Sequence, residues 1–508
     1  MLFIFLLMVF PLFCFLIIHQ QRNYTGQISL LPPAPPSIPL IGNLHQLDNS
    51  SLPVYLCNSL KPMALSCMSL RLGFRKTIVI SLAKMAKEVM KTQDLDFCNR
   101  PNLLGQQKLS YNGLDLVFSP FNSYYKEIRK ICVLQLFSAN KAELLRPIRE
   151  DEVSKMIGKI SKSTATSKPI NLSKVMMCLT SSIICRVGFG KRYEGEGSEI
   201  SRFYGLLGET QAMFTTFFFS DYFPLMRWVD RLTGGLSRLE KVFKELDAFY
   251  QQLIDDHLDP KRQKPEQEDI IDVFLKIMKD PKSTFISLLI TSKPSSWGSL
   301  LYFQNVFVAG TETGANTVVW AMTFLMKYPA AMKKVQDEVR NLIGKKGFLN
   351  EDEIQDLPYL KAVVKETFRL QSTVPLLVPR ETIQDCNIGG YKIPAKTLVY
   401  VNAWAIGRDT EAWGQNSEDF YPERLIGSSI DYKGQEFGLI RFGSGRRICP
   451  GMYMGAATVE LALANLLYRF DWKMPSGIKK EDLDFDTAPG STMHKRNPLY
   501  LLAAEYRS

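Results

Sequence analysis

Histidine is scarce in this chain of 508 residues: His19, His45, His257 and His494 lie far apart. No HExxH segment and no Cys/His zinc spacing occurs. A metal doing chemistry here is therefore not expected to be held by histidine. The nine cysteines are odd in number, widely spread and form no CxxC pair. That excludes a disulfide framework and points to a reducing compartment for the body of the protein. Internal repeats and long low-complexity tracts are absent as well. So are basic runs. The net charge is +11, yet Lys and Arg are scattered among acids, so nucleic acid is not an expected partner. An anionic membrane surface and an acidic protein remain.

Apolar residues are plentiful, at 46% against 22% charged, the balance of a globular protein able to enclose a cofactor and a substrate together. Leu2 to Ile18 carries no charge. As a helix it spans roughly 26 Å, close to the endoplasmic-reticulum bilayer. No Lys or Arg precedes it and no small-x-small site closes it, which argues for a retained anchor over a cleaved signal. Arg22 and later basic residues then put the remainder in the cytosol. Residues 1–20 read as a single-pass transmembrane anchor. Residues 21–44, with Leu31-Pro32-Pro33-Ala34-Pro35-Pro36-Ser37-Ile38-Pro39, read as a stiff hinge, and 45–508 as one catalytic domain.

The body is expected to be mostly α with small β-sheets. Amphipathic patterns cover Asn140–Lys162, Leu236–Leu258, Leu300–Tyr328 and Pro358–Leu370. β-like stretches cover Leu70–Ile80 and Val378–Val401, the latter with the turn Gly389-Gly390. The apolar patch Met213–Phe223 reads as core ahead of membrane contact.

Chemistry concentrates at Phe442-Gly443-Ser444-Gly445-Arg446-Arg447-Ile448-Cys449-Pro450-Gly451. Glycines make a tight backbone, and an apolar helix follows from Met452. Helix dipole, amides and the two arginines are expected to favour the Cys449 thiolate. A buried structural cysteine, the commoner fate of a lone Cys, does not explain the surrounding glycines and arginines. Two further segments stand out. Glu366 and Arg369 lie i, i+3 on one helix face and can pair. Ala309-Gly310-Thr311-Glu312-Thr313 sits in a long apolar helix, where the bland role of Thr313 is back-bonding to the preceding turn.

Together these segments resemble the cytochrome P-450 family, across essentially the whole chain. Phe442, Gly445, Arg447, Cys449 and Gly451 match its FxxGxRxCxG haem loop, Glu366 and Arg369 its ExxR, and Phe420–Arg424 its PERF segment with Leu425 in place of Phe. Residues 309–313 match its (A/G)Gx(D/E)T site. The resemblance implies haem b, with Cys449 as iron ligand; the electron push from that thiolate is a stock example for this family. It implies that Arg424 locks the Glu366–Arg369 pair beneath the loop. Phe442, Gly443, Gly451 and Ala309 would line the cofactor, and Tyr125, Arg129, Arg380 and Arg447 would hold its propionates. The small Ala309 and Gly310 would let the helix open beside a flat ring. Thr313 would hydrogen-bond dioxygen and Glu312 would relay protons. A small hydrophobic substrate would touch Phe218, Val306, Ala309, Val374, Leu376 and Ser491.

Segments 105–111 and 185–193 resemble plant microsomal members of the 71 clan, nearest the 83 family, some of whose members oxidise aldoximes. Electrons would come from NADPH through NADPH-cytochrome reductase, with cytochrome b5 as a second donor. Lys126, Lys130 and Arg446 form a basic docking face for such partners. The rivals are a haem-thiolate lyase or isomerase acting on hydroperoxides, and a haem-binding chain impaired by its atypical 283–304 segment. Departures from the family pattern are Arg441 where plant members usually carry proline, Gln371-Ser372 for His-Pro, and Gly314 for Ser or Thr. Residues 61–68 lack the usual turn, and Pro294 moves the expected start of the distal helix to about Ser295 or marks a gene-model error.

Overall fold

The structure, a computed structural model, describes residues 31–47, 51–60, 67–165, 168–192, 198–263, 267–279, 301–343 and 346–506. The anchor 1–20, the first part of the hinge, residues 61–66 and the proline-containing stretch 283–300 lie outside the described residues.

The helical patterns of the sequence recur as helices. Asn140–Lys162 is divided: a short helix Ala139–Leu144 precedes α1, Arg146–Thr164. Pro147 explains the division, since proline suits a first helical turn but not an interior. There follow α2, Leu172–Phe189, and α3, Ser198–Thr215. Next come α4, Gly235–Leu258, and α5, Leu301–Lys327. The last are α6, Pro358–Leu370, and α7, Met452–Arg469. A further helix, Ser123–Gln135, carries Tyr125 and Arg129. Of α5's neighbours, α2 packs on it most extensively. Glycine makes that approach possible. A Cβ at Gly310 would stand 2.5 Å from Ile184 Cδ1, and one at Gly314 would stand 3.3 Å from Thr180 Cγ2. The two glycines are i, i+4 on one face of α5 and admit α2 against its backbone. By length and composition α2 could cross a membrane, but 67% of it is buried, the mark of a core helix.

Strands β1 (Cys67–Leu72) and β2 (Arg75–Ile80) form a hairpin turned by Gly73 at φ 58°. β3 is Ile170–Asn171 and β4 is Arg380–Glu381. β5 (Cys386–Ile388) and β6 (Tyr391–Ile393) pair around Gly389-Gly390 as the sequence anticipates. β7 (Leu398–Val401) lies parallel to β2 and antiparallel to β4, giving the sheet order β1-β2-β7-β4. The proline-rich segment lies along β1: Ser69 donates from its amide to Pro33 O (2.9 Å) and from its hydroxyl to Pro32 O (2.6 Å).

The Met213–Phe223 patch is divided between core and surface. Met213 and Phe218 are buried, whereas Phe217 is exposed. Beyond it Leu225 (92% exposed), Trp228 (59%) and Leu232 (75%) stand in solvent. Exposed Phe74 packs edge-on against Phe223, its amide bonds Tyr222 O, and the neighbouring Gly73 amide bonds Ile41 O. Exposed Ile38 and Ile41 therefore adjoin the same face. This partly corrects the expectation that the patch is core.

Candidate functional site

The cysteine loop is built on two left-handed glycines, Gly443 (φ 71°) and Gly445 (φ 69°). A Cβ at Gly445 would meet Met90 O at 2.2 Å, so no other residue fits. The Cys449 amide donates to Phe442 O (2.8 Å), closing the loop, and Gly451 caps α7. Burial pushes the Cys449 thiol up, and the Gly451 amide, Arg129 and Arg441 pull against it. The expected helpers, Arg446 and Arg447, act elsewhere. Arg446 is half exposed beside Asp94, and Arg447 donates to Cys98 O (2.8 Å) and Ser119 O (2.6 Å). Amide and positive charge do favour the thiolate against burial, but the charges are those of Arg129 and Arg441 in place of the expected Arg446 and Arg447.

Beneath the loop lies a fully buried ion group. Arg369 binds Glu366 bidentately at 2.8 and 2.7 Å and donates to the carbonyls of Gly407 and Ser417 at 2.5 Å each. Glu366 Oε1 also accepts from Arg424 Nε (3.0 Å) and the Tyr421 amide (2.9 Å). The pairing expected of Glu366, Arg369 and Arg424 is present, and it joins α6 to the segment that leads into the loop.

Cations crowd one edge of the site. Arg100, Arg380 and Arg447 are each under a tenth exposed. Arg380 spans Asp94 (2.8 Å) and Ser444 O (2.9 Å), and Arg129 donates to Ile448 O. Burial, then repulsion from Arg447 and Arg380, pulls the Arg100 guanidinium well down. Arg447 Nη1 is buried without a partner. A concentration of buried positive charge with an orphaned donor fits an anionic group such as the propionate edge of haem. Arg100 escaped the sequence reading. Its signal was an arginine just before Pro101 and outside any recognised motif. Tyr125 is placed differently from expectation. Its hydroxyl donates to Arg446 O (2.8 Å) and its ring lies 3.7 Å under the Arg447 guanidinium, so it steadies Arg447 and offers no free hydroxyl.

On α5, Thr313 Oγ1 donates to Ala309 O (2.7 Å), the back-bond that an apolar helix favours. Ala309 and Thr313 are i, i+4 and less buried than Thr311 between them. Gly310 faces α2, where its smallness serves helix packing. Glu312 accepts from Thr492 Oγ1 at 2.5 Å. Of the expected substrate contacts, Val306, Val374 and Leu376 are part-buried, and Phe218 is buried against Gly105. Ser491 donates to Gln211 (2.5 Å), and Gln211 reaches Val308 O (3.4 Å). Gln211, a lone amide on the apolar side of α3, is a second residue the sequence reading missed. None of the eight described cysteines forms a disulfide. His257 lies with Asp269 and Asp272 away from these residues, and Arg262 already pairs both carboxylates.

This fold and loop are those of a haem-binding monooxygenase. The family model described as Cytochrome P450 matches residues 32–502, and the chain belongs to that family. A zebra fish cytochrome P450 solved with progesterone shares the fold at a TM-score of 0.74 and 22% identity, over 89% of this chain and 99% of that one. More particularly the chain is a plant cytochrome P450 of the 71 clan. It is 47% identical to 5-OH-xanthotoxin synthase of Ammi majus, over 99% of this chain and 98% of that one. It is 46% identical to 6,7,8-trihydroxycoumarin synthase of Pastinaca sativa, over 99% of each. Cytochrome P450 71B37 of Arabidopsis thaliana is 44% identical over 97% of each.

Proposed function

We propose that this monooxygenase hydroxylates the aromatic ring of a flat, coumarin-like plant metabolite, with Cys449 as the thiolate ligand of its haem. One observation carries the site: a half-buried cysteine in a glycine-turned loop beside buried arginines, one of whose donors has no partner. Names of relatives at 46–47% identity supply the substrate class. Aldoxime oxidation, implied by resemblance to the 83 family, is the competing chemistry; those names favour the aromatic ring.

Haem, when bound, supplies reductive activation of dioxygen. Phe442, Gly443 and Gly451 shape the loop around the cysteine. Arg129, Arg447 and Arg100 would hold the cofactor's carboxylates, and Arg380 holds Ser444 in place. Thr313, whose hydroxyl rests on Ala309 O, would supply a proton donor toward dioxygen, and Glu312, which accepts from Thr492, would relay protons to it. Val306, Ala309, Val374 and Leu376 exclude water from the reacting ring. The presence of Thr313 argues against the hydroperoxide lyase reading. Electrons come from NADPH through the reductase, or from cytochrome b5, at the basic face bearing Lys126, Lys130 and Arg446. The apolar face of Phe74, Phe217, Leu225, Trp228 and Leu232 supports residence on the endoplasmic-reticulum membrane.

Reduction under carbon monoxide should give the red-shifted thiolate band in the wild type and lose it in Cys449→Ala. NADPH, reductase and a coumarin panel should yield hydroxylated product. A band typical of imidazole ligation would refute the ligand. Product formed from hydroperoxide alone, without NADPH, would refute the reaction.

A further inference from the structure

Arg441 stands where plant relatives usually carry proline, and immediately after Gln371-Ser372 comes Thr373, which Arg441 binds. The side chain is 8% exposed. Its Nη2 donates to Thr373 Oγ1 (2.7 Å) and Thr317 Oγ1 and approaches Thr313 O (3.4 Å). Its Nη1 approaches Gln371 O (3.3 Å). The guanidinium lies 4.4 Å over the Phe368 ring and 5.9 Å from that of Phe442. It thus ties together the cysteine loop, α5 and the end of α6.

Every one of these partners is neutral. Among the described residues no carboxylate pairs with Arg441. A staple between hydroxyls and carbonyls needs only a neutral donor, whereas a buried cation without an anion is costly. The ionisable thiol on the same loop is Cys449, whose amide the adjacent Phe442 carbonyl holds at 2.8 Å. Arg441 and Arg129 are the guanidinium groups that act on it. Arg446 and Arg447 are directed away.

We propose that Arg441 is a positioning residue whose unpaired buried charge tunes the Cys449 sulfur, drawing electron density from it and favouring the reduced cofactor. The proposal rests on Cys449 being the iron ligand. The positive charge stabilises the state that carries one more electron, so removing it makes reduction harder. One unit charge acting across a few side chains, at an effective dielectric near 20, shifts an equilibrium by about tenfold. For a one-electron couple that is about 59 mV.

The test is potentiometric titration of the full-length, haem-loaded protein without substrate. Arg441→Met should favour the oxidised form by about tenfold, and Arg441→Lys should restore the wild-type value. Thr373→Val removes one acceptor but keeps the charge, and should leave the potential within twofold of wild type. If Arg441→Met does not hold its cofactor, Arg441→Pro, bearing the residue usual in plant relatives, serves the same comparison. A change below twofold on removing the charge overturns the proposal. So does a tenfold change in Thr373→Val, which would make the effect structural. Absence of the thiolate band in the wild type would instead refute the ligand assignment.

Discussion

The apolar face offers a prediction that residues 1–30 cannot supply. Leu225, Trp228 and Leu232 are 92%, 59% and 75% exposed. Burying a large apolar side chain fully contributes roughly 2 kcal/mol. Scaled by exposure, inserting these three into a bilayer interface contributes about 4 kcal/mol, or about a thousandfold in partition. The perturbation is the triple change Leu225→Ser, Trp228→Ser and Leu232→Ser in a chain beginning at Leu31. Flotation with uncharged liposomes is the assay, because a net charge still strongly positive without Arg22, the one charged residue before Leu31, would bind anionic lipid regardless. All three side chains project into solvent, so the melting temperature should stay within a few degrees of the parent. The parent should float and the triple variant should not. A loss of partition below about tenfold, with folding intact, would show that this face does not carry membrane contact.

Two further outcomes follow from buried charge. Glu366→Gln leaves Arg369 and Arg424 without their carboxylate in a site whose Glu and first Arg are wholly buried. Breaking such a pair costs about 3–5 kcal/mol, so thermal unfolding should drop sharply and haem retention with it; a variant as stable as wild type would refute the frame. Burial pushes the Asp221 carboxyl up to about 6, against the pull of the Leu104 amide and Arg75. The folded chain then holds this proton more tightly than the unfolded chain does, so stability falls as pH rises from about 4 to about 6, at a cost of about 3 kcal/mol above that. Asp221→Asn keeps an acceptor for the Leu104 amide (2.8 Å). It should melt higher than wild type at pH 7.5 and alike at pH 4; equal melting at both would sink the reasoning.

Periodicity carried the helices because each buries one face. Pro358–Leu370 matches to the residue, and Gly235–Leu258 and Leu301–Lys327 to within one. Where the sequence reading slipped, a second surface had decided the matter. Gly310 reads along its own helix as room for a ring, and in space it also admits Ile184 of α2, a neighbour the sequence does not show. The aromatic patch read as uniform because composition does not say which way a side chain points, and the turn at Phe218 buries one phenylalanine beside an exposed one.

The cysteine loop shows the same division between covalent neighbours and neighbours in space. Arg446 and Arg447 precede Cys449 closely, and proximity in sequence made them its natural helpers. A turn of 3₁₀ helix over Gly445–Arg447 swings both away, toward Asp94 and the carbonyls of Cys98 and Ser119. The charges that reach the sulfur come from Arg129, on the helix Ser123–Gln135, and from Arg441, eight positions upstream. In sequence Arg441 and Gln371-Ser372 are two unrelated departures. In the fold Arg441 binds Gln371 O and, beyond Ser372, the hydroxyl of Thr373. The usual proline at 441 would remove the cation, whereas His-Pro at 371–372 would still offer the backbone carbonyl that Arg441 approaches and leave the Thr373 hydroxyl in place. The anchored charge is therefore a departure of position 441 alone: the Ser372 hydroxyl bonds Val374 O, and Gln371 contributes only a carbonyl that any residue would supply.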